Sequence, residues 1–177
     1  MSWMQRDLAG AVKAAPLLML LAAVAVAGWM FVTKDSLPAV TQPIAYNHQK
    51  HLAVGLTCDN CHQYYERYAV AGLPKTELCM TCHAASLTDS PEEGKVRAYG
   101  DRGQEIPWIK VHNIPDHSYF SHQRHVTLGK LDCAVCHGDM TQRTTPVTRP
   151  AVSLTMGWCV SCHEQRQATT DCNACHR

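Results

Sequence analysis

Five times in 177 residues the chain writes Cys-x-x-Cys-His: Cys58/Cys61/His62, Cys79/Cys82/His83, Cys133/Cys136/His137, Cys159/Cys162/His163 and Cys172/Cys175/His176. These units use all ten cysteines. A disulfide framework then has no material left. Zinc sites would use the cysteine pairs but give no reason for a histidine after every one. Covalent attachment of c-type haem explains all three positions. Two thioether bonds hold the porphyrin about one helical turn apart, and the adjacent histidine faces the iron from one side. Ten cysteines thus predict five covalently bound c-type haems, each with its iron.

That prediction constrains the fold. Phe120 is the only phenylalanine after Phe31. Ordinary side chains supply little bulk to offset chain entropy, so the haems themselves must provide the apolar interior. The expected class is a mainly α-helical and irregular multihaem cytochrome c with little sheet and a haem-stacked core.

Two of the five signatures close a longer module. YNHQKHLAVGLTCDNCH runs from Tyr46 to His62, and FSHQRHVTLGKLDCAVCH from Phe120 to His137. Both have an aromatic residue, a His-Gln-basic-His pair, an apolar pair, a glycine and then the signature. The later copy carries one extra residue. The four histidines His48, His51, His122 and His125 belong to no signature. Three residues apart on a helix, each pair shares a face but is displaced along it, so its members can reach different irons.

Five irons need five partners on their far sides. Six histidines lie outside the signatures: the four just named, His112 and His117. His112 follows Trp108-Ile109-Lys110-Val111 and is a candidate. His117, beside Asp116, reads as the spare, a surface residue. Methionine is the other common haem partner. Met156, three before Cys159, and Met140, three after His137, are alternatives; core packing beside Trp158 is the plainer reading of Met156. Met80, inside a signature, is a poor ligand.

Residues 1–13 form a short polar lead. The uncharged run AAPLLMLLAAVAVAGWMFV begins at Ala14, and residues 14–33 are long enough for one transmembrane helix. Trp29 stands near its outer end. A cleaved signal peptide ending at Ala25-Val26-Ala27 is the competing reading. The apolar run continues past that point through Trp29-Met30-Phe31-Val32, which favours an uncleaved anchor. Arg6 and Lys13 place the N-terminus inside, and covalent haem places the rest in the periplasm or at the outer face of a bacterial cytoplasmic membrane. Residues 34–45, with Pro38 and Pro43, read as a linker, and residues 46–177 as the haem domain. Within it, Tyr64 to Leu78 suggests a short helix stopping near Gly72-Leu73-Pro74. Asp89-Ser90-Pro91-Glu92-Glu93 resembles a helix start, and Gly94 to Gly103 reads as surface. Ile106 to His112 is expected to be extended, and Gly138 to Pro150 to be a loop.

A formal charge of +1 offers no basic patch for nucleic acid. There is no glycine-rich nucleotide loop and no Ser-His-Asp arrangement. If all irons are six-coordinate, no position is open for substrate, which argues for electron transfer over catalysis. The enzymatic alternative, a multihaem reductase, needs an open iron.

The paired His-x-x-His before Cys-x-x-Cys-His resembles the class III cytochromes c. A wider match covers Trp108 to His125, the Cys133–Gly138 signature, and Met156-Gly157-Trp158 with the Cys159–His163 signature. It resembles the pentahaem cytochrome subunit of alternative complex III, a bacterial quinol:electron-acceptor oxidoreductase. The resemblance implies partner subunits: a large iron–sulfur subunit related to molybdopterin enzymes and polytopic quinol-binding membrane subunits. It implies electron delivery to a soluble cytochrome c, a copper or iron–sulfur carrier, or an oxidase. Its distal ligands carry over to His48, His51, His112, His122 and His125, with Met156 or Met140 open at one iron. The related alternatives are a self-sufficient membrane-anchored quinol dehydrogenase, which typically has four haem signatures, and the cytochrome subunit of another molybdopterin-type membrane oxidoreductase.

Overall fold

The computed structural model describes residues 19–29 and 39–176. They fall into two units, divided after Pro38. In the first, residues 19–29, part of the expected 14–33 anchor, are helical and exposed. The remainder of that anchor, the 1–13 lead and residues 34–38 lie outside the described residues. Among the described residues no helix is long and apolar enough to cross a membrane.

The second unit consists of short helices joined by irregular chain. In order they are α1 (His48–Ala53), α2 (Cys58–Cys61), α3 (Thr76–His83), α4 (Pro91–Asp101), a single π-helical turn (Gln123–Leu128), α5 (Ala134–His137), a 3-10 turn (Met140–Gln142), α6 (Met156–Gln165) and α7 (Cys172–Cys175). The described residues include no strand, only an isolated bridge between Ser118 and His176. The mainly helical and irregular class is as the sequence implied.

The conventional core is small. Ile44, Val96 and Ile106 are the buried apolar residues, with Cys79, Met80, Tyr99 and Trp108 packed against them. No described side chain is fully buried, while Val54, Tyr68, Val70, Leu73 and Leu128 are exposed despite being apolar. Burial of so little surface cannot offset the entropy of ordering this chain. The fold is of the kind that needs covalently held apolar bodies.

One local expectation fails and one holds only in part. The 64–78 segment is not a helix: it turns at 63–69, then runs extended to Lys75, and the helix starts only at Thr76. Gly72 takes φ +80°, a left-handed conformation that breaks any helix there, and Pro74 keeps Leu73 extended. The 94–103 stretch is exposed at Gly94, Lys95 and 101–103 but buries Val96, and it forms most of α4, the longest helix of this unit among the described residues. Ser90 caps it by accepting from Glu92 N, Pro91 stands in its first turn, and Glu92 and Glu93 follow there. It packs on α3. The approach is close: a Cβ on Gly100 would stand 2.5 Å from the sulfur of Met80. Met80 thus has a packing role.

Residues 39–45, given to the linker by sequence, run extended but pack on this unit. Val40 N donates to Thr148 O, and the Gln42 amide bridges Ile109 and Val147 carbonyls. Ile44 is 3% exposed.

Candidate haem-binding site

The module histidines are oriented in the same way twice. In the first module Asn47 caps α1, accepting from Lys50 N at 3.0 Å. The Tyr46 ring stacks on His51 (4.4 Å, 25°) and meets His48 edge-on (4.7 Å, 85°). In the second, Phe120 stacks on His125 (4.5 Å, 23°) and meets His122 edge-on (4.9 Å, 90°). One aromatic ring therefore fixes two imidazoles at right angles to one another in each module.

Backbone carbonyls select the tautomer. The Nδ1 atoms of His51, His122 and His125 point at the carbonyls of Asn47, Ala69 and Ser121 at 2.8, 2.9 and 2.8 Å. Those of His62 and His163 point at the carbonyls of Gly72 and Thr169 at 2.8 and 2.6 Å. A carbonyl only accepts, so Nδ1 carries the proton and Nε2 keeps a lone pair for a metal. This is the outer-shell arrangement of metal-ligating histidine. Gly72 is required for it at His62: beyond its positive φ, a Cβ there would lie 2.5 Å from Cδ2 of Tyr64.

Two imidazoles sharing one metal through Nε2, at about 2 Å per bond, have ring centres about 6 Å apart. The structure presents such pairs: His51–His83 at 6.1 Å, His125–His163 at 6.0 Å, and His122–His137 at 6.3 Å with planes 6° apart. His117 faces His176 at 5.6 Å and 18°. His48 has no ring contact of this kind, but His62 is its largest electrostatic neighbour, and its buried Nδ1 has no hydrogen-bond partner. His112 is placed differently. Its ring lies 4.5 Å from that of His137, nearly perpendicular to it, with a buried and unpartnered Nε2.

The donor set therefore suits bis-imidazole haem. Among the described residues no three His, Cys, Asp or Glu side chains converge as a site for a bare metal ion; the rings come in facing pairs. His117 is the residue that sequence reasoning set aside. Its only signal there was arithmetic, six histidines for five irons. The turn Ser118 N→Pro115 O and the bond Tyr119 N→Cys175 O bring it to the last signature. Met156 is 66% exposed at the start of α6, and Met140 opens the 3-10 turn.

Burial governs the charge states. It lowers the pKa of His48 and of His137 to about 4, with neighbouring histidines adding to the effect, and lowers that of His112. Neutral imidazole is the ligating form. Burial raises the thiols of Cys61, Cys79, Cys133, Cys136 and Cys159. The same thiols trace a row: Cys79 interacts with Cys61, Cys133 with Cys58, Cys136 with Cys162 and Cys159, and Cys159 with Cys175. Backbone geometry supports the middle of the row. The π turn docks on the segment after His62 through His122 N→Ala69 O, Gln123 N→Tyr68 O and Thr127 Oγ1→Glu66 O. α1 packs on Met140–Gln142, just past His137.

The chain is similar to known cytochromes c. Residues 30–113 match the model of the class III cytochrome c family, and residues 118–177 that of cytochrome c7 and related cytochromes c. Each match contains one histidine module. The chain is also 30% identical, over 92% of its own length and 88% of the relative's, to a Nitratidesulfovibrio vulgaris protein named menaquinone reductase, multiheme cytochrome c subunit.

Proposed function

We propose, since the chain belongs to the multihaem class III cytochrome c family, that it carries five c-type haems as the electron-transfer subunit of a membrane quinone oxidoreductase. Covalent c-type haem follows from the family; the count of five rests on the five signatures. The observation that carries the reading is the set of facing histidine pairs about 6 Å apart.

Each bound haem supplies a one-electron iron couple. The chain's own residues do the rest. The cysteine pairs hold the porphyrins, and His62, His83, His137, His163 and His176 supply one imidazole each. His51, His122, His125 and His117 stand opposite His83, His137, His163 and His176, and His48 serves His62. His112 lies beside the His137 ring, nearly perpendicular to it. An imidazole on each side of every iron would leave no coordination position for substrate, which favours conduction over catalysis.

Residues 14–33 would anchor the protein in the bacterial cytoplasmic membrane, with the haem domain on the periplasmic face. Subunits of the alternative complex III kind would complete the assembly: an iron–sulfur, molybdopterin-like subunit and polytopic quinone-binding subunits. In the direction implied by the motif resemblance, electrons pass from quinol to a periplasmic acceptor. The name of the 30%-identical relative favours a second reading, in which electrons enter through the cytochrome and reduce menaquinone.

The test is purification in mild detergent with mass spectrometry of the associated subunits. Menaquinol with an oxidised soluble cytochrome, and menaquinone with a reduced one, then assay the two directions. Isolation as a monomer that oxidises quinol unaided would overturn the subunit reading.

A further inference from the structure

His83 differs from the other oriented histidines in what faces its outer nitrogen. His51, His62, His122, His125 and His163 each meet a backbone carbonyl. The Nδ1 of His83 is buried, has no hydrogen-bond partner, and lies 3.8 Å from Oε2 of Glu93. With Nε2 turned to a metal, Nδ1 carries a proton, and the carboxylate is the acceptor facing it.

Glu93 is built into place. It is 7% exposed. Its Oε2 accepts from Leu87 N at 2.8 Å and Thr88 N at 3.3 Å, and its Oε1 from Thr88 Oγ1 at 2.6 Å. Three donated hydrogen bonds on one carboxylate favour its ionised form. Arg97, one turn along α4, places Nη1 3.6 Å from the same Oε2. That nitrogen is buried and otherwise unpartnered. Glu93 thus sits between an axial histidine and a guanidinium.

A carboxylate facing Nδ1–H raises the basicity of a ligating imidazole, where a neutral carbonyl does so less. Its negative charge also favours the ferric over the ferrous site, most strongly where burial limits screening. We infer that Glu93, countered by Arg97, is a positioning residue that lowers the reduction potential of the haem held by Cys79, Cys82 and His83. The inference rests on His83 being an axial ligand.

The experiment is a spectroelectrochemical titration of the full-length, haem-loaded protein carrying Glu93→Gln or Arg97→Gln. His51→Ala identifies the component concerned, by converting that haem to high spin. Glu93→Gln keeps an acceptor oxygen but removes the charge, and raises the potential of that one component. Arg97→Gln removes the counter-charge and lowers the same component. Mere loosening of α3 against α4 would move both variants in one direction. Same-direction shifts, no shift, or shifts spread over several components overturn the inference. Should Glu93→Gln fail to accumulate, Glu93→Asp and Arg97→Gln decide the sign. A pyridine haemochrome count separates the two levels: fewer than five haems in the parent protein defeats the proposed function, whereas five haems with an unmoved potential defeats only the role of Glu93.

Discussion

The two histidine modules reach the same side-chain geometry through different backbones. Their ring stackings differ by only 0.1 Å in distance and 2° in angle (4.4 Å and 25° at Tyr46–His51, 4.5 Å and 23° at Phe120–His125). Yet the first is an α-helix capped by Asn47, and the second a π-helical turn. The extra residue of the second copy accounts for this. The left-handed residue after the helical turn is Gly55 in the first module and Lys130 in the second, one place further from the second histidine. A π turn takes up one additional residue without moving its flanks. Gly129 makes room, since a Cβ there would stand 2.7 Å from the His125 carbonyl. The insertion falls after both histidines, so the rings are spared. What is held constant is the pair of imidazoles and the aromatic ring between them, not the helix.

The comparison breaks most sharply at the second histidine of each module. His51→Ala and His125→Ala should each leave every haem covalently attached and convert one to high spin, seen by low-temperature electron paramagnetic resonance. For His125 the affected haem should be that of Cys159/Cys162, and for His51 that of Cys79/Cys82. If either variant instead altered the haem of its own module, the facing pairs at 6.0 and 6.1 Å would be misread.

Removing the shared ring is the next largest change. Phe120→Ala deletes one stacked and one edge contact, about 1–3 kcal/mol together, and Tyr46→Ala deletes the same pair plus an edge contact to Trp108. Both should lower the denaturation midpoint and broaden the low-spin signals of two haems at once. An effect confined to one haem would show that the ring does not orient both imidazoles.

A subtler difference is the hydroxyl. Burial raises the Tyr46 phenol above its ordinary range, and Cys61 lies beside it. Phe120 has no such group. Tyr46→Phe should make the first module resemble the second, with a small shift at the haem of Cys58/Cys61 in a redox titration and unchanged haem content. Loss of that haem would mean that the hydroxyl is needed for attachment.

The smallest effect concerns how the first module is tethered. Glu92 accepts from Ala45 N at 2.6 Å and pairs with Lys95 at 2.6 Å, which lowers its pKa. A depressed carboxylate stabilises the fold above the ordinary carboxylate range, and that contribution is lost as pH falls through its folded value. Glu92→Gln should therefore flatten the acid limb of a stability–pH profile and leave neutral stability within about 1 kcal/mol, since the pair is exposed. An unchanged acid limb would remove Glu92 from this role.

Legibility followed locality. The attachment sites, the repeated modules and the start of α4 at Ser90-Pro91 are written in adjacent residues, so spacing and cap chemistry revealed them. The 64–78 segment misled because the chain already turns at 63–69, where the Tyr68 and Ala69 carbonyls accept from Gln123 N and His122 N of the distant π-turn segment, so no helix forms ahead of Gly72. The 94–103 stretch misled because Gly100, a poor helix former, is there for close approach to Met80. Both reasons lie in contacts remote from the local pattern.

The sequence by itself determined the haem chemistry: each signature gathers two thiols and an imidazole within five residues, so no fold is needed to read it. It also determined that His48, His51, His122 and His125 come as pairs. Only the tertiary structure decided which ring faces which. His117 and His176 are far apart in the chain, and the bond from Tyr119 N to Cys175 O that brings them together leaves no trace in composition or period. The same holds for Glu93 and His83, which belong to different helices and meet only because α4 packs on α3. Covalent spacing is local and survives in one dimension; the outer coordination and the charge around it depend on packing between distant segments.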